Sequence, residues 1–278
     1  MHEAAAAGLQ GDAFLSERPG HLTELAAQAV DGGATLLVVV GGDGSVNEVA
    51  NAIAGRDGVD LAVIPRGTGW DFARSQGLPR PVAEAARAAT SGAVRVIDLG
   101  RATYRSWAGP EQTTWFANIG SAGMSGAIAQ RANSTTKALG GKASYLIATL
   151  AVFARWTNDL VTVTVGGEER RAPMHDVVVA NGSTFGGGMK ICPEASAEDG
   201  LFDVLLIGDV TKLDLLRTMP KIYRGTHLPH PKAELLRGAT VTVDADEPLP
   251  VELDGEQPGT TPVRFELVPR ALRLRVPV

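Results

Sequence analysis

The stretch VVVGGDGSVNEVAN, from Val38 to Asn51, joins a β-branched run to three closely spaced glycines and then to a helix-like pattern. The apolar run begins at Thr35 and does not alternate with polar residues, which predicts a strand buried on both faces of a parallel sheet. Glycines at the end of such a strand leave backbone N–H groups uncovered, and a helix predicted from about Val46 to Ala54 adds its positive end. The stretch therefore predicts a phosphate-binding loop.

This glycine loop matches neither of two common nucleotide motifs. No lysine follows the glycines, as GxxxxGK would require, and the spacing differs from GxGxxG. Asp43 would place a carboxylate beside bound phosphates, an unfavourable arrangement unless a divalent metal ion lies between them. The alternative is a tight strand-to-helix turn in which Ser45 caps the helix and Glu48 completes a capping box. Both interpretations stay open, and they are compatible.

A second loop, IPRGTGWDFAR from Ile64 to Arg74, follows the next predicted strand, which begins at Leu61. Ligands of α/β sheets bind at the carboxyl ends of strands, so Thr68, flanked by two glycines, is a candidate donor to the same ligand. An ordinary turn with Asp71 as a helix N-cap is the alternative.

The order of predicted elements divides the chain in two. Strand, loop and helix alternate up to Asp98, which predicts a three-layer α/β domain over residues 1–98. Short alternating stretches dominate from Leu99 onward, which predicts an antiparallel β-sandwich over residues 99–278. Two helical insertions interrupt this second domain, near Ser144 to Trp156 and near Leu213 to Tyr223.

Composition excludes several classes of protein. The chain has 278 residues, and its 26 Lys and Arg against 31 Asp and Glu give a net charge of −5, which argues against nucleic-acid binding. Its single cysteine, Cys192, excludes an intramolecular disulfide and a cysteine-cluster metal site, and it suits the reducing cytoplasm. The longest apolar stretch, Tyr145 to Phe153, is shorter than the roughly 20 residues that cross a bilayer.

Two later stretches carry further candidate chemistry. NGSTFGGGMKICPEASAEDGLFDV, from Asn181 to Val204, contains an Asp199-Gly200 turn that could bind a hard cation or be a plain hairpin turn. VELDGE, from Val251 to Glu256, holds two acidic residues around a glycine. A carboxylate there could accept the proton of an attacking alcohol, and the alternative is again a hairpin turn.

Together the four stretches, in this order, resemble the diacylglycerol kinase catalytic domain family of lipid kinases, which includes bacterial diacylglycerol kinases and sphingosine kinases. The resemblance covers nearly the whole chain. It implies an N-terminal nucleotide domain, a C-terminal β-sandwich, and ATP- and Mg²⁺-dependent transfer of the γ-phosphoryl group to a lipid hydroxyl, by default that of diacylglycerol. Such an enzyme would be cytoplasmic, would meet its lipid substrate at the membrane surface, and would serve phospholipid biosynthesis.

The resemblance also implies site residues. It makes Glu256 the proton acceptor, with Asp43 as a rival, and Asp254 a residue that orients Glu256 or holds catalytic Mg²⁺. A structural Mg²⁺ site would use the Asp199 side chain and the backbone oxygens of Ser196 and Leu201. The implied nucleotide contacts are Ser16, Gly42, Asp43, Gly44, Ser45, Val46, Asn47, Glu48 and Thr68.

Two departures from the family pattern matter. The family usually begins with a strand and an Asn-Pro glycine loop, so we expect about 30 further residues upstream of Met1 to complete the doubly wound sheet. Trp70 stands where the family usually has asparagine, and an indole accepts no hydrogen bond.

Two alternative functions stay open: a small-molecule kinase similar to NAD kinases, and a non-catalytic nucleotide- or lipid-binding protein. The oligomeric state, including a homodimer, is not readable. The segment Leu213 to Tyr223 combines apolar and basic residues as an amphipathic segment does, and such a segment could contact an anionic membrane surface.

Overall fold

The computed structural model describes residues 8–134, 149 and 151–278. The N-terminal elements alternate between helix and strand, as the sequence predicts. They are α1 (His21–Asp31), β1 (Leu36–Gly41), α2 (Asp43–Ile53), β2 (Asp60–Pro65), α3 (Asp71–Ser75) and α4 (Val82–Ser91).

The N-terminal domain is a parallel sheet between two layers of helices. β1 and β2 run parallel. α1 and α2 share one core with the sheet, to which Ala26 and Val46 contribute, and α4 packs on the opposite face, where Ala85 clusters with Ile64. The predicted three-layer arrangement is confirmed.

β1 is less buried than its sequence indicates. All residues of β2 are buried, but in β1 only Val39 is, and Val40 is 61% exposed. Among the described strands, β1 pairs with β2 alone, so one edge of it has no neighbouring strand. The prediction of a strand buried on both faces is therefore wrong for β1.

The second domain is strand-rich, and its strands enclose a core that includes Phe116, Phe202 and Phe265. The predicted β-sandwich is confirmed. The remaining elements are β3 (Ala93–Ser106), β4 (Glu111–Phe116), β5 (Ile119–Gly123), α5 (Met124–Ser134), β6 (Asp159–Val165), β7 (Glu168–Met174), β8 (Asp176–Ala180), β9 (Phe202–Ile207), α6 (Lys212–Arg224), β10 (Ala233–Gly238), β11 (Thr240–Ala245), β12 (Pro250–Leu253) and β13 (Glu256–Val276).

β13 connects the two domains. Its first half pairs with β11 and β12, and its last residues run parallel to β2. There Leu272 and Leu274 enter the N-terminal core, while the Asp60 carboxylate accepts from Arg273 and Arg275 over 2.7 and 2.8 Å. The sequence predicts short sandwich strands up to the end of the chain, whereas the structure has one long strand here, and its end completes the N-terminal sheet.

The helical insertions have different outcomes. The helix predicted near Leu213 to Tyr223 is confirmed as α6. The insertion predicted near Ser144 to Trp156 lies partly outside the described residues. In its described part, residues 151–155 are helical. Among the described residues, no helix is both long and apolar enough to cross a bilayer.

Candidate functional site

The two predicted glycine loops lie directly against each other. Gly42 precedes α2 and Gly67 follows β2, and a Cβ placed on Gly67 would lie 2.4 Å from Gly42 Cα. The N–H groups of Arg66 and Gly67 donate to Gly41 O over 2.8 and 3.2 Å. Because no side chain fits at Gly67, the two loops form one surface of bare main chain, with the exposed Thr68 beside it.

α2 begins at this surface. Its first intrahelical bond runs from Val46 N to Gly42 O over 3.1 Å, so the three preceding N–H groups have no acceptor within the helix. Those N–H groups and the positive end of the helix dipole together form a site suited to phosphate oxygens.

The capping-box alternative for the glycine loop is wrong. The N-cap of α2 is Gly42, and no side chain caps the helix. Glu48 does not reach back to this turn, because its Oε2 accepts from Leu22 N over 2.9 Å at the start of α1.

Three residues implied as nucleotide contacts do not lie on the loop surface. The Val46 side chain is in the core and only 3% exposed, and its N–H is used within the helix. Glu48 binds the start of α1. Ser16 is exposed, and its hydroxyl donates to Arg18 O over 3.1 Å.

Asp43 and Asp71 converge on the loop surface from two different loops. A Cβ on Gly69 would lie 2.9 Å from Asp43 Oδ2 and 3.3 Å from Asp71 Oδ2. Asp43 Oδ1 accepts from Phe72 N over 2.9 Å, and Asp71 Oδ2 accepts from Gly187 N over 2.6 Å. Burial, reinforced by the nearby Asp43 carboxylate, raises the pKa of Asp71 to about 6.

Asp43 is the member of this pair that fits a divalent cation, because Asp71 forms an ion pair with Arg74 and accepts from Gly187 N. Mg²⁺ commonly uses one or two carboxylates, several waters and substrate phosphates, and Asp43 stands beside the proposed phosphate surface.

The turn between β12 and β13 brings an acidic residue of the second domain to the same surface. Glu256 Oε1 lies 3.9 Å from the position that a Cβ would take on Gly44. The Glu256 side chain is exposed. Its carboxylate therefore lies beside the start of α2.

Asp254 is held by a full set of donors. Its backbone is left-handed, with φ of 50°. Burial raises the pKa of its carboxyl, and the donors partly oppose that shift. Each carboxylate oxygen accepts two hydrogen bonds. Oδ2 accepts from Ala117 N (2.7 Å) and Asn47 Nδ2 (3.0 Å), and Oδ1 accepts from Asn118 N and Ile119 N (both 3.0 Å). These bonds favour a role in orienting the turn over a role as a metal ligand.

The predicted structural Mg²⁺ site does not fit the residues present. Asp199 Oδ2 forms an ion pair with Arg237, and Oδ1 accepts from Leu201 N over 3.1 Å. The Ser196 hydroxyl accepts from Glu198 N. A guanidinium thus stands where a cation would bind, and among the described residues no cluster of three metal-ligating side chains is found.

Some site residues carry no strong sequence signal. Asp71 reads as an N-cap, yet its carboxylate binds Gly187 and Arg74 and lies beside Asp43. The long stretch from Asn181 to Val204 contains its partner loop, and only the fold brings that loop to α3. Glu252 reads as an ordinary strand residue, although its Oε1 accepts from Gly255 N in the β12–β13 turn.

Trp70 adopts a left-handed backbone with φ of 45°. Its ring lies against two cations, with the guanidinium carbons of Arg74 and Arg80 at 4.2 and 5.3 Å from the ring centroid. The departure from asparagine thus replaces a polar side chain with a stacking platform at the edge of the site.

Two family models match the chain. The diacylglycerol kinase catalytic domain matches residues 2–102, and the YegS C-terminal NAD kinase beta sandwich-like domain matches residues 118–276. A diacylglycerol kinase of Mycobacterium tuberculosis is 34% identical over 255 residues, which cover 91% of this chain and 80% of that protein. A YegS-like lipid kinase of Pseudomonas aeruginosa is 31% identical over 93% of this chain and 82% of its own length.

The fold has a solved counterpart. A crystal structure of a diacylglycerol kinase from Bacillus anthracis superposes with a TM-score of 0.73 at 20% identity, covering 99% of this chain and 88% of that one. The fold and the two matched domains define a kinase. The chain belongs to the diacylglycerol kinase catalytic domain family.

Proposed function

We propose that the chain is an ATP-dependent lipid kinase that transfers the γ-phosphoryl group to a lipid hydroxyl, with diacylglycerol as the acceptor. The observation that carries this proposal is the approach of Glu256 Oε1 to Gly44, because it puts a carboxylate opposite the main-chain phosphate surface. The names of the relatives, diacylglycerol kinase and lipid kinase, support the class of acceptor.

Each residue of the site has a separate task. The first N–H groups of α2 bind the ATP phosphates, the absence of a side chain at Gly67 leaves room for them, and Thr68 donates to the same nucleotide. Glu256 accepts the proton of the lipid hydroxyl. The hydroxyl oxygen bonds to the γ-phosphorus as the bond between the γ-phosphorus and the ADP oxygen breaks. Asp254 and Asn47 hold the turn that carries Glu256.

Asp43 is the residue that would hold Mg²⁺, because Asp71 is paired with Arg74. A bound Mg²⁺ supplies neutralisation of the charge on the β- and γ-phosphates. Asp43 is in addition fixed by Phe72 N, which leaves its Oδ2 facing Gly69 and Asp71. This assignment gives Asp43 a metal-binding role and leaves Glu256 as the base.

The lipid would reach the site from a membrane surface that binds α6. This helix exposes Leu213, Leu216 and Tyr223 by 52%, 60% and 49%. Basic residues flank them on a chain whose net charge is −5, which favours anionic lipid as the partner of this face; they are Arg217, Lys221 and Arg224. Peripheral association of this kind needs no membrane-spanning segment.

Vesicle binding tests the membrane surface. The double variant Arg217→Glu/Lys221→Glu should bind phosphatidylglycerol vesicles about tenfold more weakly, and Leu213→Ser/Leu216→Ser should also lose binding. Arg87→Glu, on the exposed side of α4, is the matched control. Equal binding of all variants would reject α6 as the membrane surface.

A kinase assay tests the reaction. Glu256→Gln and Asp43→Asn should each abolish ³²P transfer from ATP to diacylglycerol, whereas Glu247→Gln and Asp57→Asn, at exposed positions, should retain it. Sphingosine and NAD serve as competing acceptors. Phosphorylation of NAD alone would point to a small-molecule kinase, and ATP binding without turnover on any acceptor would point to a non-catalytic binding protein.

A further inference from the structure

A row of four buried polar side chains lies behind the β12–β13 turn. Ser121 Oγ contacts Glu252 Oε2 at 2.9 Å and Ser125 Oγ at 2.7 Å, and Ser125 Oγ contacts Asp176 Oδ1 at 2.9 Å. All four residues are at most 9% exposed. The row thus joins two carboxyl groups, from β12 and β8, through two hydroxyls.

Counting protons shows that one carboxyl of this row is neutral. Three contacts of hydrogen-bond length need three protons, and the hydroxyls of Ser121 and Ser125 supply two. If Glu252 and Asp176 were both ionised, each serine would donate to its carboxylate, and two oxygen lone pairs would face each other at 2.7 Å. The third proton must therefore reside on a carboxyl group.

The surroundings of the two carboxyls place that proton on Glu252. Asp176 accepts from Ser125 N over 3.0 Å and from Val177 N in addition to the Ser125 hydroxyl, so its negative charge is well solvated by donors. Glu252 has Gly255 N besides the row, and the negative Asp254 lies close to it.

The electrostatics of the row agree with this assignment. Burial, with contributions from the charges of Asp254 and Asp176, raises the pKa of Glu252 to about 8, and burial raises the pKa of Asp176 to about 7. The hydrogen-bond partners of both carboxyls are uncharged serine and backbone donors. A shared proton is the way in which the row avoids two unpaired buried charges.

We propose that Glu252 is a positioning residue for Glu256: kept neutral by the row, it accepts from Gly255 N and fixes the turn without adding a third negative charge to it. The role in positioning Glu256 rests on the proposed kinase function. The presence of a proton on the row does not rest on that function, because the proton is inferred from the contacts of the row alone.

Amide substitutions distinguish the two locations of the proton. A glutamine at 252 imitates neutral Glu252, with its oxygen accepting from Gly255 N and its NH₂ donating to Ser121 Oγ. An asparagine at 176 accepts from Ser125 N with its oxygen and donates from its NH₂ to Ser125 Oγ, so the row no longer needs a proton on Glu252. With the proton on Asp176 instead, Glu252 would already be ionised in the wild type, and Asp176→Asn would leave its ionisation unchanged.

The experiment combines ¹³C NMR of glutamate carboxyls with kinetics on the full chain. We expect a neutral glutamate carboxyl resonance at pH 7 that disappears in Glu252→Gln. We also expect Glu252→Ala to lower kcat about tenfold at an unchanged KM for ATP, and Glu252→Gln to keep the wild-type kcat.

Several results would overturn the proposal. Absence of any neutral glutamate resonance in the wild type at pH 7 would reject the proposal without any variant, and so would a neutral glutamate resonance that persists in Glu252→Gln. Equal kcat in Glu252→Ala and wild type would reject the positioning role. If no protein transfers phosphate to lipid, the kinase function fails, while the NMR result still decides whether Glu252 holds the proton.

Discussion

Asn47 Nδ2 donates to Asp254 Oδ2 over 3.0 Å, and this hydrogen bond joins α2 of the N-terminal domain to the β12–β13 turn of the sandwich. Asn47 and Asn51 also donate to Trp115 O, over 3.2 and 2.9 Å. One face of α2 is thus fixed to the second domain. The hydrogen bonds of Asn47 and Asn51 therefore help to set the distance between the glycine loop and Glu256.

Removing this contact between domains should slow the reaction more than it weakens ATP binding. Asn47→Ala deletes a hydrogen bond to a charged group, which is worth about 1.5–3 kcal/mol, so we expect kcat to fall roughly tenfold to a hundredfold. Asn158→Ala is the matched control, since Asn158 binds Asp209 and Val210 instead. A kcat equal to that of the control would show that Asn47 does not position the turn.

The contact between the two glycine loops predicts a strong effect at Gly67. In Gly67→Ala the new Cβ would meet the Gly42 backbone, which cannot rotate away as a side chain would. We expect the loops to separate, the protein to lose about 1–3 kcal/mol of stability, and the KM for ATP to rise. Urea unfolding and ATP titration of the rate measure the two effects, and a wild-type KM would contradict the shared phosphate surface.

Trp70 allows backbone strain to be separated from ring contacts. Trp70→Asn and Trp70→Ala both lose the stacking with Arg74 and Arg80, but asparagine tolerates the left-handed φ of 45° better than alanine does. We expect the asparagine variant to be more stable than the alanine variant by about 0.5–1 kcal/mol. Equal unfolding midpoints in urea would mean that the backbone relaxes in both.

The end of β13 predicts that the C-terminus stabilises the N-terminal domain. Leu274 is fully buried in the core shared with α2 and β2. Leu274→Ala should therefore cost about 2–5 kcal/mol of unfolding free energy. Hydrogen exchange should report the loss in β1 and β2. Protection that falls only in the sandwich strands would contradict this packing.

Features that depend on local sequence could be predicted, and features that depend on distant contacts could not. The glycine loop and α6 follow from short patterns, and so does the DGE turn. Asp71 could not be recognised, because its partner Gly187 lies 116 residues away. The final strand could not be assigned to the correct domain, because alternation of polar and apolar residues is the same in either sheet.

The row behind the turn makes the stability of the protein depend on pH. The pKa of Glu252 is raised from 4.5 to about 8 in the folded protein, so between these values the folded state binds more protons than the unfolded state. Stability must then fall as pH rises through this window, by up to about 1.4 kcal/mol per pH unit, and level off above pH 8.

Glu252→Gln removes this dependence, because glutamine keeps the hydrogen bonds of the neutral acid and does not titrate. The unfolding free energy of the variant minus that of the wild type should therefore grow between pH 5 and pH 8. Urea unfolding of both proteins at pH 5.5, 7.0 and 8.5 measures that difference. A difference that stays constant or shrinks with rising pH would mean that Glu252 is ionised in the folded protein, and that the row does not hold its proton there.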